Sequence, residues 1–407
     1  VLSSLDDIAW LLNIRGNDIA YCPLVLSYAI VYNNSVELFA DIRKFSDDII
    51  NLLAENQVKI YPYEGIYRKV SEMTSEDKLL LDSSIMNYSL YQAISKETVI
   101  IDKQNPEILM KSVKNETQAE NLRKAHLKDA VAHTKFMYWL KKNIGRVEIT
   151  ELSASARLEG LRAEQEHFLG PSFGPISAYG EHGAIVHYSA DEKSNVPLKE
   201  GKLFMTDTGG HYLEGSTDIT RTVALGEVGN IEKEHFTLVA RAMLRLANTV
   251  FLYGCSGANL DCIAREVFWK EGLNFNHGTG HGVGYLLNIH EGPINFRWKE
   301  GERPAPALEE NMVITDEPGI YIEGSHGIRL ENELLVRKTV KNEYGQFMNF
   351  EILTYVPIDL DAILPEKMST EEKEMLNHYH KQVYEKVSPY LSEEERIWLK
   401  EYTRAVK

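Results

Sequence analysis

Three cysteines in 407 residues are too few for a disulfide scaffold. Cys22, Cys255 and Cys262 form no CxxC pair, which excludes a thiolate zinc site, and they read as reduced thiols of a cytosol-like compartment. No apolar run approaches the roughly eighteen residues of a membrane-spanning helix. Positive charge is also scarce. Against 60 Asp and Glu stand 44 Lys and Arg, a net charge of −16, which argues against a nucleic-acid backbone or an anionic membrane as the main partner. No glycine-rich segment ends in GK[ST], and none has the GxGxxG register after a strand, so a nucleotide site is excluded. No basic and apolar leader follows Val1. The chain reads as a fragment or processed form, any targeting signal lying upstream, and cytoplasmic residence is the expectation.

What is present is ordinary for a globular protein: 43% hydrophobic and 26% charged residues, in a length suited to two domains. Residues 1–113 read as one α/β unit without a catalytic cluster. Apolar Ile8–Ile14 is expected as a strand. Tyr28–Tyr32 and Val36–Ala40 flank Asn33-Asn34 as a hairpin. Asp47–Glu55 has helical spacing and Val58–Tyr61 returns as strand. A polar helix is expected over Ser71–Lys78, and strands over Leu79–Asp82, Tyr88–Ala93 and Thr98–Ile101.

Residues 114–407 form the second domain. Asn115–Asn143 reads as one long helix with Thr117 and Glu120 as its capping box, and Thr150 starts another. His126 and His133 lie on helical faces as packing or surface residues. A strand over Gly183–Tyr188 carries His187. Strands Lys202–Asp207 and Ser216–Leu225 form a glycine-turned hairpin. Helices follow over Glu232–Tyr253 and Leu260–Glu271, then strands over Met312–Ile322 and from Gly327 through Val336. Residues 360–407 are a charged helical tail.

The densest chemical signal is His277-Gly-Thr-Gly-His281-Gly-Val-Gly, followed by His290-Glu-Gly-Pro293. A lone histidine is ordinarily a packed structural residue; three in one glycine-rich stretch resist that reading. The glycines are expected to supply unusual backbone turns and room for a substrate chain. Asp207 and Asp218, eleven residues apart on a hairpin, are expected to face one another. Taken alone they are equally readable as solvated turn residues. Glu317, before Pro-Gly, and Glu331, fourteen residues on, make a second acidic pair. One histidine with four carboxylates suits a pair of divalent ions sharing bridging carboxylates. Oxygen-rich ligands with one imidazole favour Mn²⁺, Co²⁺ or Fe²⁺.

These segments resemble aminopeptidase P, the Xaa-Pro aminopeptidase of the pita-bread metallopeptidases. The resemblance rests on Met205-Thr-Asp207, Ser216-Thr-Asp218, His277 to Gly284, Asn288-Ile-His290-Glu-Gly-Pro293, Thr315-Asp-Glu317-Pro-Gly319 and Gly327-Ile-Arg329-Leu-Glu331-Asn332. It extends along the whole chain, and the tail resembles the eukaryotic cytosolic three-domain form. It implies an α/β fold: a creatinase-like domain over 1–113, the family's second, then a pita-bread domain with a curved antiparallel sheet flanked by helices. By resemblance, Asp207 chelates one metal, Asp218 and Glu331 bridge both, and His281 and Glu317 complete the second. His187, His277 and His290 line the substrate site, His290 stabilising the oxyanion, with Glu317 as proton carrier. Arg329 braces an acid, and Tyr188 and Tyr321 are candidate pocket walls. The implied cofactor is two divalent ions, Mn²⁺ first, with Co²⁺, Fe²⁺ or Zn²⁺ as alternatives. The implied reaction removes the first residue from peptides with proline second, by a water activated between the metals, in a homodimer. Prolidase, which cuts dipeptides only, and a non-catalytic pita-bread binding module are the alternatives.

Overall fold

The computed structural model describes residues 1–299, 301 and 303–407. The chain divides into two compact units, Val1–Lys111 and Ser112–Lys407.

In the first unit, strands β1 (Ser27–Val31) and β2 (Val36–Ala40) form the expected hairpin, and β3 (Val58–Tyr61) joins β2 in parallel. Both faces of this sheet are covered. Tyr28, Ile30 and Phe39 pack with Ile66 and Leu90, while Ala29, Leu38 and Ala40 pack with Ile8 and Leu53. Three expectations fail here. Leu5–Leu12 is a helix, α1, not a strand: Ser4 Oγ accepts from Asp7 N at 3.4 Å, and Asn13 stops it in the left-handed region at φ 49°. Its apolar run is too short for periodicity to decide. Helix α2 (Asp47–Glu55) is as expected. Helix α3 covers Gly65–Ser71, burying Ile66 and Val70; the polar segment after it turns, with Asp77 accepting from Thr74 N at 2.8 Å. Helix α4 (Tyr88–Ala93) replaces an expected strand, because Asn87 caps it and only Leu90 is buried. Strands β4 (Lys78–Leu81) and β5 (Val99–Asp102) pair in parallel, and α5 (Glu107–Ser112) reaches the boundary.

The second unit begins with α6 (Glu116–Asn143) and α7 (Glu151–Ala163). The capping box of α6 is Asn115 with Gln118, two residues before the expected pair, while Thr150 caps α7 as expected. Strands β6 (Phe168–Pro171), β7 (Ile176–Tyr179), β8 (Lys202–Thr208), β9 (Gly210–Tyr212), β10 (Gly215–Ser216) and β11 (Ile219–Leu225) follow. They form two three-stranded sheets, ordered β10-β9-β6 and β11-β8-β7. His187 is not on a strand. Gly180–Ala184 is a 3₁₀ turn, opened by Gly180 at φ +57°, and His187 lies in the turn after it.

Helix α8 (Asn230–Ala247) ends sooner than the sequence reading, because Phe251–Leu252 leaves it as strand β12. Helix α9 (Gly257–Lys270) precedes β13 (Gly280–Val283), β14 (His290–Phe296), β15 (Val313–Asp316), β16 (Gly319–Ile322) and β17 (His326–Arg329). Strand β18 (Asn332–Asn342) runs beyond Val336 to meet β19 (Gly345–Ile352), which the sequence reading lacks. The larger sheet is ordered β12-β19-β18-β15-β13-β14, and every described pairing in this unit is antiparallel. Helices α10 (Thr370–Val387) and α11 (Glu393–Tyr402) form the tail. One continuous core joins α6, α7, α8 and α10 to the sheets through residues such as Phe136, Phe204, Met243, Leu334 and Tyr379.

Candidate metal centre

The β11-β8-β7 sheet and the larger sheet meet where β11 passes the start of β18. Glu331 N donates to Thr220 O at 3.0 Å, and Thr220 Oγ1 donates to Glu331 Oε2 at 2.7 Å. Arg221 locks this junction from within the core. Its guanidinium donates to Glu331 O at 2.6 Å, Thr220 O at 2.8 Å, Asn332 Oδ1 and Tyr379 Oη at 2.7 Å, and Val356 O at 2.9 Å.

Around the junction the sequence-predicted acids converge. Asp218, His281 and Glu331 each place a donor atom within 4.8 Å of the others. His281 Nε2 lies 3.6 Å from Asp218 Oδ2 and 3.7 Å from Glu317 Oε1. Its Nδ1 faces Gly282 O at 2.9 Å; a carbonyl only accepts, so the proton sits on Nδ1 and the Nε2 lone pair faces the acids. Asp207 and Asp218 are not cross-strand partners: Asp207 faces Thr220, and Asp218 precedes β11. The second pair fits better, since Glu317 and Glu331 flank the β16–β17 hairpin two residues beyond its last paired residues, Gly319 and Arg329.

Burial pushes the carboxyls of Asp218, Glu331 and Glu317 above their ordinary range. Mutual repulsion adds to this: Asp207 and Glu317 act on Asp218, and Asp218 acts on Glu331. Arg329 offsets part of this repulsion: it lowers the Glu317 carboxyl and is bonded to Asp207 Oδ2, and it also donates to Tyr321 Oη at 2.7 Å. Buried acids that repel one another around an imidazole lone pair fit divalent cations, because bound positive charge removes the cost of holding them together.

The histidines divide. His277 Nδ1 donates to Gly278 O at 2.7 Å, so its Nε2 accepts from Tyr321 Oη at 2.8 Å, and both ring nitrogens are engaged. Burial, then Arg329 and Arg265, holds His277 down to about 4, neutral at physiological pH. His290 is also held down to about 4, by burial and then His281, whose ring centroid is 4.4 Å away. His187 is exposed and is an electrostatic neighbour of both His277 and His290.

The glycines have a different use from the one expected. Those at 280 and 282 lie in β13, where a Cβ would meet Thr315 O at 1.9 Å and Glu291 O at 2.2 Å respectively. They admit neighbouring strands rather than unusual turns. Three supports were missed in the sequence. Glu333 Oε1 accepts from Asp218 N at 2.7 Å, and its Oε2 lies 3.1 Å from the buried His126 Nε2. Arg265, paired with Asp261, donates to Phe275 O and His277 O at 2.7 Å. Asp261 also accepts from Thr279 Oγ1, while Thr279 O accepts from Glu317 N at 2.8 Å. Tyr188 is buried on Glu151, 2.9 Å from its Oε2, rather than forming an open pocket wall. None of these supports has a local motif; only the fold brings the partners together.

The sequence profile of Metallopeptidase family M24 matches residues 120–338. The chain belongs to metallopeptidase family M24. This M24 chain also matches the Creatinase/Prolidase N-terminal domain over residues 1–118 and the C-terminal region of peptidase M24 over 346–406. It is 36% identical to Probable Xaa-Pro aminopeptidase P of Paracoccidioides brasiliensis, covering 100% of this chain and 69% of that protein. It is 34% identical to Aminopeptidase P1 of Lotus japonicus, covering 100% and 71%. Among solved structures, X-prolyl aminopeptidase from Caenorhabditis elegans, described as a cytosolic enzyme with a di-nuclear active site, matches with TM-score 0.92 at 34% identity, covering 99% of this chain and 67% of that one. Xaa-Pro dipeptidase from Bacillus anthracis shares the fold, with TM-score 0.67 at 24% identity over 87% of this chain and 92% of that one. The resemblance to aminopeptidase P therefore holds, as does the fold it implied: a creatinase-like domain and a pita-bread domain, in a metal-dependent hydrolase.

Proposed function

We propose that this chain is a metallo-aminopeptidase that removes the first residue from peptides with proline at position two. The observation that carries this reading is the convergence of Asp218, His281 and Glu331, with Glu317 3.7 Å from His281, at the junction of the two sheets. In it, Asp207, Asp218, His281, Glu317 and Glu331 would together hold two divalent ions, with Asp207 serving one, His281 and Glu317 the other, and Asp218 and Glu331 contributing to both. Mn²⁺ is the first candidate, since carboxylate donors outnumber imidazole. When bound, two such ions supply Lewis-acid activation of a water and neutralise charge on the scissile carbonyl.

The protein's own groups do the rest. Arg329 fixes Asp207 and, through Tyr321, orients His277, which burial keeps neutral. On the substrate side, among the described residues, His187 and His290 have no ring-nitrogen hydrogen bond to the protein, so they are the ones available to the peptide. His290, beside the metal-ligand imidazole, donates to the oxyanion as it develops. His187 holds the peptide carbonyl, and Glu317 carries the proton to the leaving amine. The tertiary amide of proline lacks an N–H and asks nothing of the pocket at that atom. Cytoplasmic residence is part of this reading, supported by the likeness to the nematode enzyme.

The test is cleavage of Arg-Pro-Pro against Gly-Pro with Mn²⁺ and with chelator. Release of arginine from the tripeptide, lost on chelation, is the expected result. Equal or faster cutting of the dipeptide identifies a prolidase; no cutting of either identifies a binding module.

A further inference from the structure

The turn that carries His187 has no regular structure of its own, yet it is tightly held. Its anchor is Glu151, the first residue of α7, fully buried at 0% exposure. A carboxylate in the first helical turn is favoured by the helix dipole. This one also collects donors from both sides of the turn. Its Oε1 faces Tyr179 N and His182 Nδ1, each at 2.8 Å. Its Oε2 accepts from Tyr188 Oη at 2.9 Å and from Val196 N at 3.4 Å. The rings of His182 and Tyr188 stack with centroids 4.5 Å apart. The exposed His187 is thus bracketed along the chain by His182 and Tyr188, two residues that share one carboxylate.

The far side of the turn rests on the β16–β17 hairpin. A Cβ at Gly327 would meet Gly183 O at 1.6 Å, so the two backbones touch there. Arg329 Nη2 reaches Val186 O at 3.4 Å. The turn is held between α7 and the hairpin that carries Tyr321 and Arg329.

We propose that Glu151 is a positioning residue for catalysis: it fixes the 180–196 turn so that His187 meets the peptide carbonyl. The proposal rests on the peptidase reading and on the role given there to His187. Glu151 touches no reacting atom. It acts by charge-assisted hydrogen bonds, and their loss frees the turn without touching the metal ligands. A structural pin alone predicts lower stability with independent, multiplying effects; a positioning residue predicts that its effect disappears once His187 is gone.

The experiment compares the metal-loaded full chain with Glu151→Gln, Tyr188→Phe, His187→Gln and the Glu151→Gln/His187→Gln double variant, cleaving Arg-Pro-Pro. Metal content is measured alongside. We expect Glu151→Gln to lower kcat/KM about tenfold, the scale of one lost charged hydrogen bond, with both ions retained. Tyr188→Phe, which removes one donor and leaves the carboxylate, should follow in the same direction and carries the test if Glu151→Gln does not fold. The double variant should be no worse than His187→Gln. Multiplying effects, loss of metal, or wild-type kcat/KM in Glu151→Gln would each overturn the proposal. If the wild type cuts no Xaa-Pro peptide, the peptidase reading fails by itself. Hydrogen exchange then decides the clamp: faster exchange confined to 180–196 in Glu151→Gln supports it, and unchanged exchange overturns it.

Discussion

Arg221 offers the sharpest test of how the junction is held. Its side chain is fully buried, and its bonds run to the carbonyls of Thr220, Glu331 and Val356, to Asn332 and to Tyr379. Replacing it with methionine keeps much of the apolar stem and removes every donor. The carbonyl of Glu331 then stays buried without its Arg221 donor, while Val356 O keeps Tyr379 Oη at 2.6 Å. Such an orphan costs about 1–3 kcal/mol, and breaking a buried charged network costs about 3–5 kcal/mol in all. That is a large share of the roughly 5–15 kcal/mol that stabilises a typical domain. Lysine keeps the charge but not the planar fork, so Arg221→Lys should recover only part of the loss. Urea unfolding of the chelator-treated protein, followed by tryptophan fluorescence, gives the change in midpoint at constant slope. A loss below about 1 kcal/mol in Arg221→Met would refute the argument, since it would mean that the carbonyl finds water or that the network is energetically neutral.

Asp218→Asn removes a proposed bridging carboxylate and should lower turnover by about a hundredfold or more, the scale on which groups around a metal act; substantial turnover with two ions bound would contradict the ligand set. His380 is held down to about 3 by burial, then by Arg221, and its Nε2 accepts from Ile358 N at 3.1 Å. Its contribution to stability is complete above about pH 6.5 and falls toward pH 3 by about 1.4 kcal/mol per pH unit; His380→Gln, melted across that window, should show a shallower acid slope, and identical slopes would refute it. Gly327→Ala forces a Cβ into Gly183 O and should cost about 1–3 kcal/mol or more; an unchanged melting temperature would show that the two backbones separate freely.

Long amphipathic segments were legible in the sequence. The helices at 116–143 and 151–163 emerge from periodicity and caps, because many residues vote on one face. Short apolar runs were not: 5–12 and 88–93 are helices chosen by Ser4 and Asn87 caps and by packing, which six to eight residues cannot announce. The proposed metal-site acids stand out in the sequence by their motifs, but the expected cross-strand pairing of Asp207 with Asp218 does not form. Asp207 and Asp218 stand two residues out of register, and it is the sheet junction, not the hairpin, that brings Asp218 to Glu331. Glu151, His126 and Glu333 were invisible because a buried polar group looks like any surface one until its partners arrive from elsewhere in the chain.

The proposed metal donors are scattered over residues 207 to 331 and belong to two different sheets, one built on β8 and β11, the other on β13, β15 and β18. No single hairpin holds enough of them to retain an ion. The site can therefore exist only after both sheets have formed and met, so ions cannot nucleate this fold; they can only capture it once made. Metal retention becomes a report on completed assembly. The captured state gains about 2.7 kcal/mol when free ion stands at a hundred times its dissociation constant. A chain damaged anywhere along that junction would then announce itself first by leaking metal, before it unfolds.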